Sequence, residues 1–184
     1  MSHRTKKALA FSLKKLLGQT TLEKITVKDI VKECGVNRQT FYYHFHDIYE
    51  LLEWLFGTEV TEVIDNKNTY GTWQQGFLRV LNYIESNKKV VMNTYHSLER
   101  EHLEEYLYRF VYNLMIDVIN EQAKGIYVTE ENKQFIADFY KYAFVGIVIE
   151  WIGEGMKECP QTISDNLSKL IDGDIPKALL YLQK

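Results

Sequence analysis

Apolar residues recur at helical spacing along most of the 184-residue chain. Over residues 5–17, Ala8, Leu9, Phe11, Ser12, Leu13, Leu16 and Leu17 share one side with lysines opposite, and Gly18 stands where a helix C-cap belongs. Thr26 predicts the start of a second helix. Asp29, three residues on, completes a capping box, Ile30, Val31 and Cys34 form the inward face, and Gly35 ends the helix. Asn37 caps a third, short helix through Phe45, with Phe41 and Phe45 pointing inward and Tyr42, Tyr43 and His44 left outside. Two short helices joined by a tight Gly35-Val36 turn predict a helix-turn-helix.

The pattern continues as helices to the end. A fourth is predicted over residues 47–64 and capped by the Asp47-x-x-Glu50 pair, followed by a polar loop over 65–72. A fifth covers 73–85, with Phe77, Leu78, Leu81 and Ile84 inside, and a sixth starts after Asn87. A seventh, over 98–124, carries a stripe of Leu103, Tyr106, Leu107, Phe110, Leu114 and Val118 and ends at Gly125. Thr129 caps an eighth helix reaching residue 157. A last helical stretch over 162–182 is broken near Asp174 and Pro176. The expected fold is therefore all-α with about nine helices: a three-helix head carrying the helix-turn-helix over residues 1–46 and a helical body over 47–184.

The eighth helix is apolar around nearly its whole circumference, so it must be buried on every side. A chain of this size has too little material to cover it alone, which points to a second copy. Phe139, Ala143, Gly146 and Ile147 are the expected contacts there, with Ala143 and Gly146 small enough to let another backbone come close. Leu167, Leu170 and Ile171 are the expected contacts from the last stretch.

Composition changes the picture in two places. A chain 46% hydrophobic with 2 Pro can bury a real core, and its longest uncharged apolar run, residues 142–149, is far too short to span a bilayer. Lys6, Lys7, Lys14 and Lys15 interrupt the N-terminus before a signal-peptide core forms, so a soluble cytoplasmic protein with no membrane partner is expected. Cys34 and Cys159 belong to no metal-ligand cluster and are expected to be two buried thiols. The net charge of -3 hides an asymmetry. Residues 1–50 hold nine Lys and Arg against five Asp and Glu, a local charge of +4, which leaves -7 for the rest. A basic head on an acidic body suits a polyanionic partner bound at the head.

The chemistry fits double-stranded DNA. A helix entering the major groove needs side chains that reach bases and phosphates from its outer face, and Arg38, Gln39, Thr40, Tyr42, Tyr43 and His44 supply them behind the Asn37 cap. Thr26, Val27 and Lys28 open the preceding helix, where unpaired N–H groups and the positive end of the dipole favour a phosphate.

The stretch from Thr26 to Phe45, with its Gly35, Val36, Thr40, Phe41, Tyr42, Tyr43, His44 and Phe45 core, resembles the DNA-binding segment of TetR/AcrR-type transcriptional regulators. Residues 37–54, Tyr95-His96-Ser97 and residues 144–160 resemble the branch of that family containing regulators of dihydroxyacetone kinase operons. The resemblance implies DNA contacts from Thr26, Lys28, Arg38, Gln39, Thr40, Tyr42, Tyr43 and His44, and a homodimer built on the last two long helices. A two-fold dimer reads two half-sites, so the expected operator is a near-palindrome. One departure stands out: Ile48 and Tyr49 occupy positions where the family usually carries Lys-Glu, so a common phosphate-binding lysine is missing.

The resemblance further implies either a small-molecule effector held between helices four and eight or control by a kinase-like co-protein, with no small-molecule pocket. For an effector site the candidates are Trp54, Tyr95, His96, Tyr106, Tyr140, Phe144 and Trp151. His96, Glu99 and His102 spread over too wide an arc to hold a metal, and no cofactor is expected. The absence of a phosphate loop, an HExxH helix and a Gly-x-Ser-x-Gly elbow argues against an enzyme. A helical-bundle interaction protein without specific DNA binding is the rival from another class.

Overall fold

The computed structural model describes residues 2–64, 72–97, 100–171 and 173–183, and the described residues form ten α-helices and one short 3-10 turn with no strand. The head comprises α1 (Ser2–Leu17), α2 (Val27–Cys34) and α3 (Arg38–His44). The connector α4 (Ile48–Ile64) leads to the body: α5 (Trp73–Ser86), α6 (Lys88–Tyr95), α7 (Arg100–Gln122), α8 (Glu130–Gly153), α9 (Pro160–Ile171) and α10 (Asp174–Tyr181).

Local sequence sets the head's boundaries. Thr26 and Asp29 form a reciprocal capping box at the start of α2, in which the Asp29 N–H donates to Thr26 Oγ1 and the Thr26 N–H donates to Asp29 Oδ2. The Thr26 hydroxyl, which also donates to Asp29 Oδ2, and after it the Thr26 N–H hold the Asp29 carboxyl below the usual carboxylate range. Gly35 ends α2 in the left-handed conformation, at φ 71, where a Cβ would be strained. Asn37 Oδ1 then accepts the Thr40 N–H at 2.8 Å and opens α3. The predicted Asp47–Glu50 cap is present at α4: Asp47 Oδ1 accepts the Glu50 N–H, and the Glu50 carboxylate accepts the His46 N–H.

Leu9, Leu13, Leu17, Ile30, Phe41 and Phe45 form the head core. Leu51, Leu52 and Leu55 of α4 and Val90 of α6 belong to the same cluster. The head thus packs onto the first half of the connector, although the chain leaves the head near residue 46. Two core expectations are corrected. Phe11 is 71% exposed, because α1 turns it onto the side carrying Arg4, Ala8 and Lys15 while Ala10 takes the inner position. Cys159 is exposed and Cys34 only half-buried, packed on the edge of the head core.

In the body, α7 and α8 run along each other, and two further clusters fill the interior. α8 begins at its Thr129 cap, whose hydroxyl accepts the Asn132 N–H, but it stops at Gly153, short of residue 157. The turn after it is pinned by Trp151, which donates Nε1–H to the Glu158 carbonyl at 2.9 Å. The last stretch breaks at Gly173, φ 75, into α9 and α10. Of the predicted loop over 65–72, residues 65–71 lie outside the described residues, as do Leu98 and Glu99 and the side chains of His102 and Leu103. No described helix is long and apolar enough to cross a membrane.

Candidate nucleic-acid interface and body cavity

α3 carries two opposite surfaces on seven residues. Phe41 is fully buried, and its ring meets those of Phe45 and Tyr42 at centroid distances of 6.1 and 5.4 Å. Anchored by Phe41, the helix turns Arg38, Gln39, Tyr42 and Tyr43 into solvent, with Tyr43 80% exposed. Thr26 and Lys28 are likewise exposed at the start of α2, whose first backbone N–H groups have no partner inside the helix. Among the described residues the head's ion pairs are Lys7–Glu62, Lys14–Glu59 and Lys15–Glu33, which leaves Lys28 and Arg38 outside them. Cations not already neutralised by the protein are the ones available to phosphates.

Four of the sequence-predicted contacts sit differently from the rest. The Val27 side chain packs against the head core, so only its backbone faces outward. Asn37 is exposed, but its Oδ1 is occupied by Thr40, which donates both its N–H and its hydroxyl to it. Thr40 is itself half-buried in that cap. His44 is half-buried with Tyr43 edge-on to its ring at 4.9 Å.

The body holds a partly open cavity of about 240 Å³ between α4, α5, α6, α7 and α8. Of the seven effector-site candidates, Tyr95, Tyr106 and Phe144 line it. The other four candidates lie elsewhere. Trp54 packs edge-on against Phe45 and His3 at the head core, and His96 is exposed past the end of α6. Tyr140 is buried in the body core, and Trp151 is spent on the turn after α8. Four residues of the α7 stripe, Leu107, Phe110, Leu114 and Val118, also face the cavity. Helical spacing revealed that stripe but not that what it faces is partly empty. Phe77 of α5, legible only as part of an inner face, and Tyr83, which the spacing did not single out, also line it.

Two cavity phenols reach out of the cavity to α4. Tyr83 donates to Glu59, and Lys14 of α1 bonds the same carboxylate oxygen at 2.6 Å. Tyr106 donates to the Glu53 carbonyl at 3.1 Å, and an added Cβ on Gly57 would sit 3.1 Å from that hydroxyl, so Gly57 keeps the approach open. Burial, and after it the neighbouring Glu59 and Glu53, push the Tyr83 and Tyr106 phenols respectively well above their ordinary range, so both stay protonated donors.

α8 turns one apolar stripe outward: Phe135, Phe139, Tyr142 and Gly146 are exposed at i, i+4, i+7 and i+11. Ile136, Tyr140, Phe144 and Ile149 are buried on its other side. Of the expected dimer contacts, Phe139, Gly146 and Leu170 are exposed, while Ala143, Ile147 and Ile171 are half-buried. Leu167 is corrected to a core residue, 5% exposed and packed in the same cluster as Leu179.

Comparison with known proteins agrees with this geometry region by region. Residues 13–55 match the bacterial regulatory proteins of the tetR family, and residues 71–173 match a transcriptional regulator C-terminal region. The chain is 29% identical over 153 residues, 82% of its length, to the HTH-type dhaKLM operon transcriptional activator DhaS of Lactococcus lactis subsp. lactis (strain IL1403), covering 81% of that protein. Among solved structures, a dihydroxyacetone kinase operon activator DhaS superposes with a TM-score of 0.69 at 25% identity, with 98% of each chain covered. A TetR transcriptional regulator from Rhodococcus sp. RHA1 shares the fold alone, with a TM-score of 0.66 at 12% identity over 98% of this chain and 99% of that one. A capped helix-turn-helix on an all-helical body, matched in both parts, makes this chain a transcriptional regulator of the TetR family and not an enzyme.

Proposed function

We propose that the protein binds a near-palindromic operator as a homodimer, with α3 of each copy in a major groove and the start of α2 on the flanking phosphates. Arg38, Gln39, Tyr42 and Tyr43 read the groove, and Thr26 and Lys28 with the Val27 backbone hold the backbone phosphates. The observation that carries this reading is α3 itself, locked by Phe41 and the Asn37 cap while its polar and aromatic side chains stand in solvent. The α8 stripe around Phe139 and Gly146, together with Leu170, supports a two-fold interface: these are large apolar surfaces that water covers at a cost. The body cavity is the effector site. Likeness to DhaS makes an operon for a dihydroxyacetone kinase the first target to try, and the work is done in the cytoplasm, where operator DNA lies.

A gel-shift titration of the full-length protein tests this, using the fragment upstream of its own gene against a scrambled fragment of equal length. The expected result is a shift of the native fragment at protein concentrations at least about 10³-fold below those needed for the scrambled one. Equal shifts of the two fragments exclude a specific operator there and favour the interaction-protein reading.

A further inference from the structure

The cavity's walls define a ligand class. About 240 Å³, set against roughly 30 Å³ for one liquid water, is room for a ring or a short alkyl chain. Among the described residues the lining contains no Lys, Arg or His, and its single carboxylate is Glu53. Glu53 is already paired with Arg109 at 2.6 Å, on the solvent side of α7. An anion would therefore enter without a counter-charge, and a cation would have to compete with Arg109 for Glu53; leaving a charge unpaired in such surroundings is costly.

Three polar side chains of the wall are committed elsewhere. Thr94 donates its hydroxyl to the Val90 carbonyl of its own helix at 2.9 Å. The Tyr83 and Tyr106 hydroxyls are turned away to Glu59 and to the Glu53 carbonyl, and both phenols are kept protonated as donors. The remaining surface is largely aliphatic and aromatic, from Phe77, Phe110, Leu114, Phe144 and Val148 among others. A small polyol would lose its water and recover few hydrogen bonds on so apolar a surface, whereas an apolar body gains from leaving water.

We infer that the cavity takes an uncharged, predominantly apolar small molecule, and that a triose such as dihydroxyacetone is not its ligand. The inference rests on the proposed effector role of the cavity and names the chemistry of what fills it. It also separates this body from the substrate that the name of its relative suggests: a signal from a three-carbon sugar has to reach the protein by another route.

Isothermal titration calorimetry on the full-length protein without DNA tests it with four probes: octan-1-ol, octanoate, octylammonium and dihydroxyacetone. The first three share one chain and differ in the charge of the head. Octan-1-ol is expected to bind at least tenfold tighter than either ion, and dihydroxyacetone to give no heat of binding. Leu114→Trp, which places an indole in the cavity, is expected to abolish octan-1-ol binding while leaving the helical circular dichroism and the urea-unfolding midpoint close to those of wild type. Octanoate, octylammonium or dihydroxyacetone binding as tightly as the alcohol overturns the inference, as does octan-1-ol binding that survives Leu114→Trp or no binding by any probe. Because no DNA is present in the titration, failure here is distinct from failure to bind an operator, which the gel shift reads separately.

Discussion

In the head, the large side chains left in solvent on α3 are Tyr42 and Tyr43, each a ring with a polar tip, beside Arg38 and Gln39 and across from Lys28. On α8 of the body they are Phe135, Phe139 and Tyr142 beside a bare Gly146. Water solvates the first surface adequately, and a polyanion replaces that water with charge-assisted bonds. Nothing but another apolar surface improves the second. One helix is thus suited to a partner that is present some of the time, the other to a partner that is always there.

Breaking the head from within is the most severe perturbation. Phe41→Ala removes a fully buried ring from the cluster that joins α1, α2, α3 and α4, and it should cost about 3–5 kcal/mol in urea unfolding. Operator binding should be lost with it. On the body side, Phe139→Arg puts a charge on the α8 stripe of both copies and should weaken dimerisation by about 2 kcal/mol or more, visible as monomer by sedimentation velocity. The monomer should stay folded, because Phe139 is 62% exposed and supports no core.

Substitutions on the reading surface should leave folding untouched and separate two roles. Gln39→Ala should cost about 1–3 kcal/mol of operator binding and relax preference at one base position. Lys28→Ala should weaken all sequences alike and make the salt dependence shallower by roughly 1. If the two variants behave identically, the division between groove and phosphate contacts is wrong. Thr26→Ala removes the cap from α2 and should cost about 1 kcal/mol of stability.

An equally small effect is expected at the joint between head and body. The Tyr83 phenol is raised by burial and then by Glu59, so the fold favours its protonated form. Its contribution to stability is whole below the unfolded value of about 10 and is lost as pH rises beyond that. Tyr83→Phe should therefore cost about 1 kcal/mol near neutrality, where the bond to Glu59 is whole, and flatten the alkaline arm of a stability-versus-pH curve above about pH 10.

The head was legible because its signals are local. Thr26 with Asp29, Gly35 and Asn37 each act within four residues, and all three appear in the structure where the spacing puts them. Phe11 was misplaced because α1 is apolar on more than one side, and only the packing of α2 and α4 decides which side is buried. The body was legible as helices and stripes but not as surfaces. The α7 stripe from Tyr106 to Val118 reads the same whether it faces a packed core or a cavity, and Leu167 reads the same as Leu170 although one is buried and the other exposed. Aromatic identity was an equally poor guide: Trp54, Tyr140 and Trp151 are structural, while Tyr83, overlooked as a candidate, links the cavity to the head through Glu59.

Both surfaces meet in a single observable, the footprint on operator DNA. Hydroxyl-radical footprinting of the upstream fragment should show two protected patches of equal size, related by a dyad and separated by whole helical turns, and both should fade together in Phe139→Arg at limiting protein. One isolated patch, or a symmetric pair that Phe139→Arg leaves unchanged, would contradict a head that reads DNA only as half of an α8-built dimer.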